Sequence, residues 1–578
     1  MSWLNLPRAL RQRPAFRLGE KILRIWRRAG LAGLWWQLRQ LDSQTRCYAD
    51  WRKREDADAA GEHARLQAEL AALDSPPLIS IVMPVCDPPE RWLQQAIDSV
   101  RRQGYPCWEL CIADDASRSV PVRQLLRAAA AADSRIRLVF RESRGHICAA
   151  TRSALELATG DFITFLDHDD ELAPAALAYV ACEIGRHPET DLLYSDEDLI
   201  GTDGQRYNPY FKPDWNPELL RSQNYLCHLV VYRATLLHSL DILAPEVQGS
   251  QDWDLALRAS ERAGHIRHLP RILYHWRSLP GSTAHSDTAK RYALTAGRLA
   301  VQAQLQRCSE TAEVELLPFG HLRIRRPAPD LRLSVIVFDT DGASSASAPW
   351  KPPAGPNVEL VHTTLGLSSP DRSDSRLAEQ LNQAARQATG DMLCFVDRRC
   401  QPTTPDWLAT LAAEAARPGI GAVGARLLQP NRRVWHAGYL LDPESVVGHP
   451  YRGAPEHFAG QRNRALLQQN VSAVSATCLA VRRALFEDVN GFDPASGPYF
   501  DVDFCLRLQE QGLRNIWTPW ATLVLHAATR GDAGSATGSG LARQHMQVKW
   551  REQLRQDPAS HRVLSLERGL PVPRTQGQ

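Results

Sequence analysis

The sequence predicts an α/β protein with two tandem domains of one fold, each a mostly parallel sheet covered by helices, behind an N-terminal helical extension. Three observations carry that reading. From Leu78 onward, apolar runs of strand length alternate with amphipathic stretches of helical length, as in a parallel sheet with helices on both faces. A decapeptide recurs, ATGDFITFLD at 158–167 and ATGDMLCFVD at 388–397. Further on, Asp252-Trp-Asp254-Leu-Ala-Leu-Arg258 is echoed by Asp501-Val-Asp503-Phe-Cys-Leu-Arg507 and His275 by His526, so the recurrences keep one order while their offset grows from 230 to 251.

Length and composition agree with several folded domains. The chain has 578 residues, 44% hydrophobic and 23% charged, with 35 Gly and 38 Pro, which excludes disordered and collagenous classes. A formal net charge of +3, from 68 Lys and Arg against 65 Asp and Glu, gives no field for gripping nucleic acid. The 12 cysteines are scattered without a CxxC pair or a zinc-like Cys/His spacing, which predicts free thiols in a reducing compartment. No run of about 18 apolar residues is present, and Arg interrupts the first 30 residues where a signal peptide would be apolar. These features predict a cytoplasmic protein.

The elements follow in order. Residues 1–75 read as the extension: residues 1–41 hold nine Lys or Arg against one acid, Glu20, interleaved with Trp3, Phe16, Ile22, Trp26, Leu31, Trp35 and Trp36. That basic amphipathic pattern fits either the interface of an anionic membrane, which would make the protein peripheral on the inner face of the cytoplasmic membrane, or a helix packed on the protein's own body. Residues 47–74 form a charged, Ala-rich helix ending at Ser75-Pro76-Pro77. Residues 76–325 are the first domain: strand Leu78–Met83, a helix within 90–103 with Leu93, Ala96, Ile97 and Val100 on one stripe, strand 108–113, helix 121–132, strand 136–140, helix 147–158 and strand 162–166. Residues 326–535 are the second domain. The Gly/Ser-rich stretch 531–540 contains a G-x-G that no strand precedes, so it reads as a linker, and 536–578 close the chain as linker and basic helical tail.

Ligands of such sheets bind at the carboxyl ends of strands, and Asp167-His168-Asp169-Asp170 directly follows the strand FITFL. Crowded carboxylates repel one another unless a divalent cation lies between them, and hard oxygen ligands select Mg or Mn. A solvated acidic loop capping the next helix is the alternative.

These segments carry a resemblance. The runs PLISIVMPV, IADDAS, GDFITFLDHDDEL, SQDWDLALR and YHWR resemble glycosyltransferase family two, nucleotide-sugar transferases of the GT-A fold, a Rossmann-like architecture. YADWRKRED, LLYSDEDLI and FKPDWNPELL resemble bacterial members that assemble O-antigen and other surface polysaccharides. Both repeats are covered, about four fifths of the chain. The resemblance implies that Pro84 and Val85 lie beside the nucleobase, that Asp114 or Asp115 accepts the base's imide N–H, and that Asp167 and Asp169 form the metal-binding DxD pair, with Asp169 the more direct metal ligand and Asp167 also on the nucleotide. Asp252 falls at the family's catalytic base and His275 where some members place a further metal or phosphate contact. Asn- or Asp-type turns would account for Asp114 and Asp115, and strand packing for His275, without any ligand. Asp196 and Glu197, after the strand LLY, are candidates for the acceptor site or simple hairpin polarity.

The implied reaction is transfer of a sugar from a nucleotide-sugar donor to a growing, lipid-linked glycan, with inversion and with a Mn or Mg ion. In the second copy Asp397-Arg398-Arg399 replaces the acidic cluster, so Arg399 stands where Asp169 stands, and His362-Thr363 follows the strand at Val358–Val361 where Asp114-Asp115 follow theirs. Asp501 and His526 persist. That predicts a degenerate domain, or else a metal-independent transferase with arginines on the diphosphate. The chain lacks a GxxxxGK loop, a GxGxxG opening a helix after its first strand, and the QxxRW of processive synthases. The rival outside enzymes is a carbohydrate-binding scaffold of two inactive GT-A domains.

Overall fold

The apolar run that opens the first repeat forms β1 (Ile79–Val85), followed by β2 (Trp108–Asp114), β3 (Ile136–Phe140), β4 (Phe162–Phe165), β5 (Glu171–Leu172), β6 (Leu192–Ile200), β7 (Arg206–Tyr210), β8 (Val230–Arg233) and β9 (Ile266–Arg277). They join in the order β3-β2-β1-β4-β8-β6-β9-β5, with β7 on β6. β3, β2, β1 and β4 run parallel. β8 is antiparallel to both β4 and β6, and β9 is parallel to β6. Leu93, Ala96, Ile97 and Val100 on the helix Glu90–Arg101 pack against Ile79, Ile81 and Met83 in one buried cluster, each large side chain contributing roughly 1.5–3 kcal/mol of burial.

The structure is a computed structural model and describes residues 14–241, 244–279, 287–317, 321–339, 357–364, 374–526, 539–567 and 569–574. The stretch expected as a linker at 531–540 falls almost entirely outside them. The chain forms two compact units: a first built on Cys47–Arg325 and joined by Ser560–Leu564, and a second built on Arg326–Ala559 and joined by the chain up to Arg46 and by Ser565–Pro573. The N-terminal extension is helical over Pro14–Ala71, with a break at Gly30, whose φ of 64° favours glycine.

The hairpin β10 (Glu313–Leu316) and β11 (Leu322–Arg325) closes the first unit. The second unit contains β12 (Leu333–Asp339), β13 (Val358–Thr364), β14 (Met392–Asp397), β15 (Cys400–Pro402), β16 (Ile420–Leu428), β17 (Val434–His436), β18 (Leu440–Asp442), β19 (Val446–Gly448), β20 (Gln469–Val471), β21 (Cys478–Arg482) and β22 (Arg514–Leu525). Its sheet order, β13-β12-β14-β21-β16-β22-β15, repeats that of the first from β2 through β5. The two sheets are therefore copies of one α/β fold, as the sequence repeat predicts.

The recurring ATGD is a structural device. Thr159 Oγ1 and Ser80 Oγ donate to Glu109 at 3.0 and 2.7 Å, and Thr389 Oγ1 and Ser334 Oγ donate to Glu359 at 3.0 and 2.5 Å. Asp161 and Asp391 accept the N–H groups of Leu78 and Arg332 just before β1 and β12. Glycine is required between them, because a Cβ on Gly160 or Gly390 would lie 2.6 or 2.7 Å from the carbonyl oxygen of Leu78 or Arg332.

The ladders also refine two sequence correspondences. Val85 pairs with Asp114 in β1–β2, whereas Asp339 pairs with Thr364 in β12–β13, so Thr364, not His362, takes the place of Asp114. His275 pairs with Glu171 and Asp198; in the copy, Gln401 and Leu428 both pair with Val524. Val524 thus stands at the His275 position, and His526 at that of Arg277. The sequence echo is displaced by two residues because β15 and β22 pair in a register that histidine matching alone does not reveal.

Candidate active site

β4 ends at Phe165, and the chain turns through Asp167-His168-Asp169-Asp170 before pairing again as β5. The turn closes by the Asp170 N–H donating to the Asp167 carbonyl at 3.2 Å. His168 Nδ1 lies 3.3 Å from the Pro84 carbonyl at the end of β1, which ties the loop to the carboxyl edge of the sheet. β9 fixes the other side. The Tyr274 hydroxyl donates to Asp170 Oδ2 at 2.6 Å, the Arg277 N–H to Asp170 Oδ1 at 2.7 Å, and Arg277 Nε to the Asp169 carbonyl at 2.7 Å. Arg277 also pairs with Glu171 and lies over the Trp92 ring at 4.3 Å.

Facing the loop is the helix Gln251–Arg262, whose first turn carries Asp252. Asn224 Nδ2 donates to Asp252 Oδ2 at 2.7 Å and orients the carboxylate. Asp254, on the same turn, pairs instead with Arg258 at 2.8 Å, and the copy repeats this with Asp503 and Arg507 at 2.8 Å. In the DxDxxxR segment the second aspartate is thus structural, and the first is available for chemistry. Asp167, Asp252, His228 and Pro84 together line a cavity of about 470 Å³ whose remaining wall is largely apolar, including Phe165, Tyr232, Leu255 and Trp276.

Burial pushes the Asp252 carboxyl above its ordinary range; nearby His228 opposes this and the Asp167 carboxylate adds to it. Burial, reinforced by neighbouring Asp167, likewise raises Asp169, while burial with Asp167 and Asp169 raises Asp170. A carboxylate with a raised affinity for protons that lines a cavity suits a general base.

His228 is the functional candidate that sequence reasoning missed. Its ring stacks on Tyr274 with centroids 4.4 Å apart and meets Trp276 edge-on at 5.9 Å. A lone histidine just before β8 has no motif around it, and only the fold brings it to the acidic loop. Atoms of Asp167, Asp170 and His228 lie within 4.8 Å of one another. The two carboxylates suit a hard divalent ion such as Mg or Mn, and the imidazole beside them favours Mn of the two. The residues fit a divalent ion, with Asp167, Asp170 and His228 converging and Asp169 beside them.

The other expected residues are placed as follows. Val85 is buried at the end of β1. Asp115 is engaged: its Oδ1 accepts from Arg141 Nε at 2.9 Å and the Gly145 N–H at 2.8 Å. Asp114 is fully buried; its Oδ2 accepts the Ser117 N–H at 3.1 Å, and its Oδ1 has no hydrogen-bond partner among the described residues. His275 points to the opposite face of β9 from Tyr274, with Nδ1 2.7 Å from Asp198 Oδ1. Asp196 and Glu197 are buried and do not line the cavity: Glu197 pairs with Lys212 at 3.2 Å, and Asp196 lies 3.0 Å from His268 Nε2 and 2.8 Å from His561 Nε2. In the second unit, the His526 N–H donates to the Arg399 carbonyl at 3.0 Å, while Asp501 accepts the N–H groups of Ala476 and Val502 at 3.0 and 2.9 Å. Burial raises the Asp501 carboxyl to about 6.

A sheet of this order, with an acidic loop after β4 and a helix-borne aspartate across a cavity from it, defines a GT-A domain. Residues 80–238, within the first unit, match the family described as Glycosyl transferase family 2. It is similar to the uncharacterized protein y4gI of Sinorhizobium fredii, with 37% identity over 90% of this chain and 60% of that protein. It is also similar to the O-antigen biosynthesis protein RfbC of Myxococcus xanthus, with 35% identity over 82% of this chain and 40% of that protein. The chain therefore spans less than two thirds of either relative. The solved structure of S. aureus TarS 1-349 in complex with UDP-GlcNAc matches 39% of this chain and 66% of that one at 20% identity and a TM-score of 0.33, a likeness too partial to carry weight.

Proposed function

We propose that the first unit transfers a sugar from a nucleotide-sugar donor to a bacterial surface glycan, carried on a lipid, with inversion at the anomeric carbon. The observation that carries this is the convergence of Asp252, Asp167 and His228 on one cavity at the carboxyl edge of the sheet. Asp252 takes the proton of the attacking acceptor hydroxyl, and Asn224 holds the carboxylate for that transfer. As the acceptor oxygen bonds to the anomeric carbon, the sugar–phosphate bond breaks and a nucleoside diphosphate leaves. Direct attack by the acceptor oxygen as Asp252 takes its proton is a single displacement, hence inversion. A divalent ion held by Asp167, Asp170 and His228, with Asp169 beside them, would neutralise charge on the departing diphosphate. Tyr274 and Arg277 position the acidic loop. We place the base of the nucleotide at the end of β1, beside the buried Asp114. The printed name of the M. xanthus relative supports the O-antigen assignment. We read the second unit as non-catalytic, since Arg399 neutralises its remaining loop carboxylate.

Thermal stability with UDP, dTDP, GDP and CMP, each with Mn or chelator, tests the reading on wild type and Asp169→Ala. Saturation at about 100 times Kd adds roughly 2.7 kcal/mol. A metal-dependent shift with one nucleotide, lost in the variant, is expected; no shift with any of them would favour the non-catalytic scaffold.

A further inference from the structure

The segment 31–46 of the N-terminal helix carries its polarity inside out. Its buried face holds Gln40, Ser43 and Gln44 beside Trp36, which packs on Phe458 with ring centroids 5.6 Å apart in the second unit. Its outward face carries Leu31, Trp35 and Leu38, exposed by 74, 57 and 54%, at the i, i+4, i+7 spacing of one helical stripe. Across the Gly30 break, Trp26 is 47% exposed next to the exposed Arg27. Arg39 lies over the rings of Trp35 and Trp36 at 5.3 and 5.7 Å, placing a guanidinium at the margin of the stripe.

Packing on the protein's own body, one of the two placements open from sequence, thus accounts for the inner face and leaves the apolar one uncovered. Contiguous exposed Leu and Trp mark a surface that something else covers. The charge indicates what: residues 1–41 contain nine Lys or Arg and a single acid, so the partner is anionic as well as apolar. No helix among the described residues is long and apolar enough to cross a membrane. We propose that Leu31, Trp35 and Leu38 seat in the interfacial layer of an anionic bilayer, with indole at headgroup depth and Arg27 and Arg39 on lipid phosphates. This docking is independent of the transferase reading and stands or falls separately.

Flotation of the full chain with vesicles of phosphatidylcholine, or of phosphatidylcholine mixed with phosphatidylglycerol, tests it against Trp35→Ser/Leu38→Ser. Binding to the mixed vesicles, weakened by salt and at least about tenfold weaker in the variant, is the expected result. Because both side chains are exposed, the variant should keep the wild-type melting temperature and nucleotide response; Leu31→Ser alone gives a milder version of the same loss. Failure to bind the anionic vesicles, or equal binding by the variant, overturns the proposal. A wild-type dimer in sedimentation that the variant dissolves would assign the face to a second copy of the chain instead.

Discussion

Arg399 closes on Asp397 as a fork: its Nε and Nη2 donate to the two carboxylate oxygens at 2.9 and 2.7 Å, and its own N–H donates to Oδ1 at 2.9 Å. In the first unit the corresponding loop, residues 167–170, carries no arginine of its own, and Arg277 reaches it from β9. In the copy, the guanidinium supplies the positive charge from within the loop, and both oxygens of Asp397 accept from Arg399. This is the physical ground for reading the second unit as non-catalytic.

Arg399→Ala should therefore cost stability and leave transfer intact. Removing the fork from the buried Asp397 is expected to cost about 1–3 kcal/mol in denaturant unfolding of the second unit. Turnover of the donor identified by the nucleotide screen should stay within about twofold of wild type. A large loss of turnover would restore a catalytic role to this loop.

Tyr274→Phe removes the hydroxyl that donates to Asp170 and lies 3.3 Å from the Asp167 N–H. Outer-shell partners of this type are typically worth 10- to 100-fold in metal affinity. Calorimetric titration with Mn in the presence of nucleotide should show weakening of about that size, beyond the roughly 1–3 kcal/mol of metal-free stability lost when the buried Asp170 loses a partner.

His268 offers a pH test. Its Nδ1 and Nε2 face Asp214 at 2.9 Å and Asp196 at 3.0 Å, and the His561 ring stands edge-on at 5.6 Å. Burial alone would lower the pKa of His268, but Asp196 and Asp214 reverse this and hold it above the ordinary histidine value. Burial would raise Asp196, yet His561 and His268 hold it well below the ordinary carboxyl range. The raised histidine contributes stability fully present below its unfolded pKa of about 6.5 and lost as pH rises through its higher folded value. The depressed aspartate contributes stability present above about pH 3.9 and lost as pH falls through its lower folded value. His268→Gln should therefore destabilise most between about pH 4 and 6.5, by roughly 3 kcal/mol or more, with the gap to wild type narrowing at alkaline pH. A gap that does not vary with pH would contradict the ion-pair account.

Much of this was legible in the sequence for local reasons. The alternation from Leu78 onward gives β1 through β4 and their helices because strand and helix periodicities are set within each segment. ATGD marks the repeat because a close backbone approach tolerates only glycine at 160 and 390. The acidic loop stands out because crowded carboxylates repel one another unless a cation lies between them, and Asp252 because the resemblance places the family's catalytic base there. What stayed hidden depends on tertiary placement. His228 has no local signal, and β9 alone brings it against Tyr274. Asp115 looks equivalent to Asp114 in sequence, yet Arg141 and Gly145 occupy it. In YHWR the residues on the acidic loop are Tyr274 and Arg277, since strand alternation turns His275 toward Asp198. The two-residue displacement of His526 lies in strand register, which residue matching does not encode.

Single-turnover transfer by Asp252→Asn, alongside nucleotide-donor affinity measured on the same protein, tests the central claim most directly. The variant should fold, bind the donor with wild-type affinity and transfer about 100- to 10,000-fold more slowly, as expected when a general base is removed. Transfer at the wild-type rate would contradict the assignment of Asp252 and with it the mechanism built on this cavity.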